Sequence, residues 1–468
     1  MAYKIPSHIK NILDKFQKVN FQIFIVGGAV RDLLMDKIVS DWDFTTDAKP
    51  DEILQLFQEG FLERSSQKGS TFGEPFYDNK FGTVGIPTTT AEIYEITTMR
   101  KEGTYKDYRH PDKVAWTNKI EEDLARRDFT VNAMALRAEL SSKNQAFSFI
   151  LIDPFHGQDD LENQLIKAVG DPNTRFQEDA LRLIRAVRFA TELEFGIDEK
   201  TLESIKKNAH LLREIAWERI RDELFKILGG VNPYMGIVTL REVGILQVIL
   251  PELERCFGIK QEGPKHDRIY DIGEHSLLTL KECSSKDPLV RLAALLHDVG
   301  KPDTVATQND GNVTFYNHDT VGGQIALKIA KRFNLSNKQT DKLYQLVRWH
   351  LFTVDENQTD SAIRRFIKNV GVENIEDMMA VRIGDRLGGG TQKAVSWRME
   401  KFRQRIKEVL KKPFSIADLK VNGNDVMKTL NIKPGPKVGE ILQKLFEEVL
   451  EDSSKNNRKY LLSKIKQV

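Results

Sequence analysis

Residues 21–46 read FQIFIVGGAVRDLLMDKIVSDWDFTT, and this stretch decides the fold of the first third of the chain. The apolar run up to Val26 predicts a buried strand that ends in the Gly27-Gly28 turn and passes into a short helix, AVRDLLM. A glycine turn that opens a helix presents backbone N–H groups and a positive helix end to an anion, and Arg31 adds a forked donor beside them. The next segment, DWDFTT, reads as a second strand. In a strand, positions i and i+2 point to one side, so Asp41 and Asp43 form a carboxylate pair able to share divalent ions. An isolated pair of this kind is more often a solvated turn. The apolar flanks Trp42 and Phe44 and the glycine turn upstream favour the metal reading.

Further strands follow at FGTVGI (81–86) and AEIYEITTM (91–99), with a helix at DAKPDEILQLFQ (47–58) between them and DWDFTT. Glu95 lies on the alternating strand, where it supplies a third carboxylate or orients Arg100. From about Phe176 the pattern changes to helical apolar spacing, as in ALRLIRAVRFATEL (180–193) and WERIRDELFKIL (217–228), and strand-like runs vanish. The expected architecture is an α/β head followed by an all-helical neck, body and tail. The expected boundaries are 1–155 for the head, 156–250 for the neck, 251–400 for a helical body and 401–468 for the tail.

Composition excludes several classes. The chain has 468 residues, 40% hydrophobic and 29% charged, without the long apolar run a membrane span needs. Its two cysteines make neither a disulfide framework nor a zinc knuckle, which with the polar N-terminus points to a reducing cytoplasm. A net charge of +2 does not by itself announce a polyanion partner, so any such site must come from local clusters.

One cluster is RRDFTVNA (126–133), where Arg126 and Arg127 stand beside acids and can hold a ribose and phosphates. Another is FQEDALRLIRAVR (176–188). Read as one helix, it puts Asp179 and Arg182 three residues apart as neighbours, with Arg185 and Arg188 continuing the same face. An acceptor-only Asp held against a donor-only Arg matches the Watson–Crick edge of cytosine or adenine.

Together GGAVRD, the D-x-D pair and RRDFTVNA resemble the head of the class II tRNA nucleotidyltransferase and bacterial poly(A) polymerase family, within the polymerase-beta-like nucleotidyltransferases. The likeness runs from about residue 22 to 250, and EGTYKDYRHPD (102–112) resembles the flexible loop of that family and the segment after it. The resemblance implies a fold with a catalytic Mg2+ site at Asp41 and Asp43, with Glu95 as a third candidate. It also implies nucleotide contacts from Gly28, Arg31 and Arg127, with Gly27 in the same turn, and triphosphate contacts from Arg185 and Arg188. Asp179 and Arg182 become the base-selecting pair, a template made of protein. The implied partners are tRNA, CTP and ATP, with no membrane.

A second constellation, His275, His297-Asp298, His318 and Asp385, resembles the HD metal-dependent phosphohydrolase pattern, with LAALLHDVGKPDT (292–304) at its centre. Adjacent His and Asp on an apolar helix need a shared partner, and a divalent transition metal supplies one. His275, His297, Asp298 and Asp385 are the candidate ligands, and His350 stands behind them. The resemblance implies cyclic phosphates or phosphomonoesters as substrates there. In the tail, NIKPGPKVGE (431–440) with Lys433 and Lys437 offers a phosphate contact, and that family grips tRNA with this region.

The leading expectation is addition of C, C and A to a tRNA 3′ end. Poly(A) polymerase shares the head, but the basic Gly-Arg-Arg-Phe element is missing from KGSTFGEPFYDNKFGTVGIP (68–87). A CC-adding or A-adding specialist would carry much of the same head, and a chain that is mainly a phosphohydrolase would carry the same His/Asp constellation.

Overall fold

A computed structural model describes residues 3–64, 72–79, 82–88, 92–103, 112–140, 147–261, 270–309, 313–352, 358–391, 395–410 and 416–467. The chain forms two compact units, Met1–Ile249 and Leu250–Val468.

Eleven strands lie among the described residues of the first unit: β1 (Ile23–Val26), β2 (Asp43–Thr46), β3 (Phe76–Asn79), β4 (Thr83–Pro87), β5 (Ile93–Thr98), β6 (Arg100–Glu102), β7 (Val114–Trp116), β8 (Ala135–Leu140) and β9 (Phe147–Ile152), then a two-residue parallel pair, Leu165–Ile166 with Gly196–Ile197, among the helices that follow. Seven make one sheet in the order β3-β4-β5-β2-β1-β8-β9, and β6 pairs with β7 apart from it. All of its pairings are antiparallel except β2 with β5. β1 is apolar at every position because both of its faces are covered. Ile23 and Ile25 pack with Ile9, Leu13 and Phe16 of the helix Ser7–Lys18, whereas Phe24 and Val26 pack with Met99, Leu124 and Ala135.

After the sheet the unit is helical, with Pro172–Glu178, Arg182–Leu193, Glu199–Asn208, Trp217–Gly229 and Pro233–Glu242 as its main helices. The sequence expectation of one helix through residues 176–188 is corrected here. Asp179 is extended (φ −138°, ψ 104°) and separates two helices. Its carboxylate accepts a hydrogen bond from the Leu181 N–H at 3.1 Å, which gives the backbone an alternative to a helical turn.

Helices also dominate the second unit. The helix Ile272–Glu282 packs on Ile375–Gly388, and His318–Arg332 packs on Asn337–Arg348. Strands do not vanish altogether: Lys260–Gln261 pairs with Tyr270–Asp271 and Ala306–Thr307 with Val313–Thr314. Such two-residue pairs are too short to leave an alternating apolar pattern in the sequence. Separate apolar clusters form around Ile367, Met379 and Phe402, and around Ile441, Leu445 and Val449 in the tail. Arg364, only 1% exposed, donates to the carbonyls of Val449 and Leu450 at 3.1 Å each, at the C-terminal end of the helix Pro436–Glu451. A cation there complements the negative helix end. No helix among the described residues is long and apolar enough to cross a membrane.

Candidate active sites

The first site grows from the end of β1. Gly27 adopts φ +70°, ψ −134°, a region closed to other residues, and turns the chain into the helix Gly28–Leu34. A Cβ at Gly27 would lie 2.9 Å from Arg127 Nη1 and 3.6 Å from Asp43 Oδ2, so the bare backbone leaves room for both side chains. Because β1 stops at Val26, its ladder with β2 begins at Val26–Asp43. Asp41 therefore lies just before the strand, exposed, where a shared strand face had been expected. The two charges still meet: burial pushes the Asp43 carboxyl above its ordinary value, Asp41 pushes it further, and Arg127 opposes them. Asp43 pairs in register with Glu95 on the parallel strand β5. Facing residues of a parallel pair share a sheet face at about 4.8 Å spacing, which sets the two carboxylates side by side. Arg100 pairs with Glu102 at 2.9 Å.

Asp43 and Glu95 lie in a cavity of about 350 Å³ that also takes in Arg127, Asp179, Arg182 and Arg185. The sequence reading had singled out all six. Arg126 was noted only as one of a pair, and Asp128 and Arg219, also in the lining, were missed as members of the site. Asp128 accepts from Arg185 Nε and Nη2 at 2.8 and 2.6 Å. Arg219 grips Asp179 through Nη2 at 3.0 Å and Nη1 at 3.4 Å. Arg182 points elsewhere, donating to Glu178 at 2.7 Å and to the carbonyls of Arg175 and Arg126 at 3.0 and 2.9 Å. The expected Asp179–Arg182 pair is thus replaced by Asp179–Arg219, because the extended backbone at Asp179 takes its carboxylate off the helix face that Arg182 begins.

Other candidates stand behind the cavity. Arg31 donates to Asn132 Oδ1 at 2.9 Å and pairs with Asp32 at 2.8 Å, which ties the GGAVRD helix to RRDFTVNA. Arg188 was expected along a triphosphate on an open basic face. It is instead buried, bound to Glu223 at 2.6 Å and Glu192 at 2.9 Å, with its guanidinium 4.0 Å from the Phe189 ring centre. Residues 104–111 of the anticipated flexible loop, and 68–71 and 80–81 of the segment tested for a basic element, lie outside the described residues.

A second centre forms in the other unit. The helix Pro288–Leu296 leads into His297 and Asp298, and Ile272–Glu282 carries His275. Asp385, placed far off by the sequence, arrives because Gly384 lets its helix come close: a Cβ there would lie 2.5 Å from the Thr279 carbonyl oxygen. Six residues divide into two groups able to hold an ion, His275/His297/Asp385 and Asp298/His318/His350. Asp298 spans both: Oδ2 lies 3.2 Å from His297 Nε2, and Oδ1 lies 3.2 Å from His318 Nε2 and 3.7 Å from His350 Nε2. Asp385 Oδ1 is 3.2 Å from His275 Nε2. His350, read from sequence as standing behind the ligands, is an equal member of the second group.

The ring nitrogens explain why a cation suits this place. Nδ1 of His297, His318 and His350 lies 2.7–2.8 Å from the carbonyl three residues earlier, so each Nδ1 carries the proton. An unprotonated Nε2 on any of these rings would face a carboxylate oxygen, acceptor against acceptor, so each ring needs either a second proton there or a shared metal. Burial raises the Asp298 carboxyl, but His297 and Lys301 outweigh it and hold the group well below the usual carboxylate range. Lys301 Nζ sits 2.6 Å from Asp298 Oδ2 and also bonds Gln261.

In the tail, Arg458 pairs with Asp425 through both guanidinium ends and Lys464 lies 3.9 Å from Glu448. Lys433 and Lys437 are exposed around the turn before Pro436–Glu451.

Known proteins resemble the chain along most of its length. Residues 23–167 match the poly(A) polymerase head domain, 194–257 the segment ascribed to RNA and SrmB binding in polymerase A, and 321–465 a tRNA nucleotidyltransferase domain 2. The CCA-adding enzyme of Enterococcus faecalis is 30% identical over 98% of this chain and 96% of its own length. The A-adding tRNA nucleotidyltransferase of Deinococcus radiodurans is 34% identical over 70% of this chain and 75% of its own. In fold, the Bacillus stearothermophilus CCA-adding enzyme solved with CTP superposes with a TM-score of 0.68 at 24% identity, covering 99% of this chain and 98% of that one. With a carboxylate pair in register beneath an arginine-lined cavity, and relatives matching over nearly its whole length, the chain belongs to the tRNA nucleotidyltransferase family of CCA-adding enzymes, in the poly(A) polymerase superfamily.

Proposed function

We propose that the chain adds C, C and A in turn to the 3′ end of tRNA, taking CTP and ATP and releasing pyrophosphate. The observation that carries this reading is the Asp43–Glu95 register beside Asp41, in the same cavity as Arg127, Arg185 and the Asp179–Arg219 pair. The crowding that raises the Asp43 carboxyl is relieved by a cation, so Asp41, Asp43 and Glu95 suit Mg2+. Bound there, Mg2+ would activate the attacking hydroxyl and stabilise the leaving group. The RNA 3′-hydroxyl attacks the α-phosphorus, and the bond to pyrophosphate breaks. Arg127 and Arg185 lie along the phosphates. Asp179 and Arg182 read the base; Arg182 exchanges Glu178 for the nucleotide edge while Arg219 keeps Asp179 in place. Residues 1–155 serve as head, 156–250 as neck, 251–400 as body and 401–468 as the tail that contacts tRNA. Its setting is the cytoplasm.

The test supplies purified protein with tRNA lacking its 3′ end and with CTP, ATP, UTP or GTP singly, then CTP plus ATP. Complete CCA ends support the reading. Long poly(A) on generic RNA sinks it, as does product that stops at CC or accepts A alone on CC-ended tRNA.

A second reading is favoured by the paired His/Asp groups. We propose that they would hold two divalent transition-metal ions and serve the hydrolysis of phosphomonoesters or 2′,3′-cyclic phosphates. Metal bound there would lower the pKa of a water and polarise the phosphorus centre. His275, His297 and Asp385 would hold one ion, and Asp298, His318 and His350 the other. Metal analysis of the purified protein checks this: two equivalents in the parent and fewer in His318→Ala support it, and none in either refutes it.

A further inference from the structure

Beside the second centre lies a cavity of about 540 Å³ that the His/Asp cluster does not use. Among the described residues its lining combines Arg382, Arg386 and Arg398 with Phe352 and Trp397, and none of those residues is acidic. The arginines differ in how they are held. Arg382 Nη1 is fixed 2.8 Å from Asp385 Oδ2, so Asp385 offers one oxygen to His275 and the other to the cavity wall. Arg386, one turn later on the same helix, is half-buried, and its Nε has no hydrogen-bond partner. Among the described residues neither Arg386 nor Arg398 has an acidic partner. A half-buried guanidinium without a counter-charge is an unbalanced arrangement, and a bound anion balances it.

The aromatic side is equally specific. Phe352 packs on Phe366 and Phe402, with ring centres 4.7 and 5.7 Å apart, so the core anchors it as a rigid floor. Trp397 is 57% exposed, with the Arg398 guanidinium 5.3 Å from its ring. An exposed indole offers a flat face on which a planar base stacks. Inorganic phosphate would satisfy the arginines alone, and an apolar ligand would satisfy the indole alone.

We propose that this cavity binds a phosphorylated nucleotide, its base on Trp397 and its phosphate on Arg386 and Arg398, either free or at the end of an RNA strand. In turning that phosphate toward Asp385 and the metal groups, the inference rests on the hydrolytic reading above; the binding itself does not. It gives the second centre a wall that holds the base and phosphate of its substrate, formed by Trp397, Arg386 and Arg398.

The experiment follows tryptophan fluorescence of the full chain, with Trp397→Phe subtracted to isolate the Trp397 signal. The probes are 3′-AMP, adenosine, inorganic phosphate and a short CCA-ended oligoribonucleotide. Quenching by 3′-AMP or the oligonucleotide, weakened about tenfold in Arg386→Ala and in Arg398→Ala, supports the assignment. Partial recovery in Arg386→Lys separates lost charge from misfolding. Quenching by the oligonucleotide alone identifies an RNA end as the source, and quenching by both a free one. Equal quenching by adenosine and 3′-AMP overturns the phosphate assignment, and no Trp397 signal with any probe overturns the site. Hydrolysis of 2′,3′-cyclic AMP with added Mn2+ or Zn2+ is measured in parallel. Arginine-dependent quenching without hydrolysis refutes the hydrolytic reading alone; hydrolysis whose KM is unmoved in both alanine variants refutes the cavity assignment.

Discussion

Replacing Gly27 by alanine isolates the contribution of one backbone turn to the first site. The native dihedrals, φ +70° and ψ −134°, lie where a residue with a Cβ pays strain of about 1–3 kcal/mol. The added methyl would also stand 2.9 Å from Arg127 Nη1, inside contact distance, so the guanidinium must retreat by several tenths of an ångström. That retreat loosens its hold on a nucleotide above Asp43, and a displacement of about 1 Å near reacting atoms can cost about a hundredfold in rate. Gly27→Ala is therefore expected to lower the melting temperature of the first unit by about 2–12 °C and kcat by about 10- to 100-fold. Differential scanning calorimetry and single-turnover incorporation from CTP measure the two effects. Gly28→Ala is the control. Its Cβ meets only the Arg31 guanidinium, at 3.5 Å, and the position is helical, so stability should stay within about 0.5 kcal/mol. A Gly27→Ala protein with unchanged melting and turnover would refute the reasoning, and reduced melting with intact turnover would refute its steric half.

Three further outcomes follow from the ion pairs. Arg219→Ala frees the Asp179 carboxylate and should blur choice among the four NTPs by about tenfold, while this partly exposed pair costs only about 1 kcal/mol of stability; an unchanged preference in single-NTP assays counts against the role of Arg219. Burial raises the Asp128 carboxyl, but Arg185 and Arg182 pull harder, so its folded value lies below the ordinary one. Its stabilisation is then complete above the unfolded carboxylate pKa, about 3.9, and is lost as pH falls through the folded value. Denaturant titrations between about pH 2 and 5 should show a shallower acid loss in Asp128→Asn than in the parent, and equal slopes would remove Asp128 from the acid response. Arg364→Met leaves the Val449 and Leu450 carbonyls without their donor and should cost about 2–4 kcal/mol in the tail. Hydrogen exchange across residues 436–451 reads this directly, and unaltered protection there would contradict it.

The parts of both sites that were legible in the sequence are those carried by short local patterns. GGAVRD, D-x-D and RRDFTVNA each concentrate unusual residues within a few positions, and the β1 run reads apolar throughout because the sheet is covered on both sides. Arg219 gave no such signal. It sits in WERIRDELFKIL, whose helical spacing looks like any amphipathic helix, and only the fold brings it to Asp179. The break at Asp179 was hidden for a related reason: the flanking residues favour helix, and a single side-chain bond to the Leu181 N–H overrides them. Arg188 misled in the opposite sense, since an arginine every third residue reads as a solvated face when its acidic partners, Glu192 and Glu223, are not considered together. Asp385 was legible as an acid but not as a neighbour, because close packing at Gly384 is what delivers it.

The bonds from Arg185 to Asp128 and from Arg188 to Glu223 bind the loop after the paired arginines and two neck helices into one frame of charges. Arg185 Nη1 also lies 3.9 Å from Glu223, so the two pairs share a member. Over evolutionary time such a set cannot drift one residue at a time. Losing Arg185 or Arg188 strands a buried carboxylate, Asp128 or Glu223, at a cost of about 3–5 kcal/mol, so neutral change must pass through compensated pairs. Reversing Asp128 and Arg185 together should therefore rescue folding that either reversal alone destroys, and divergence in this family should collect in the second unit before it reaches this frame.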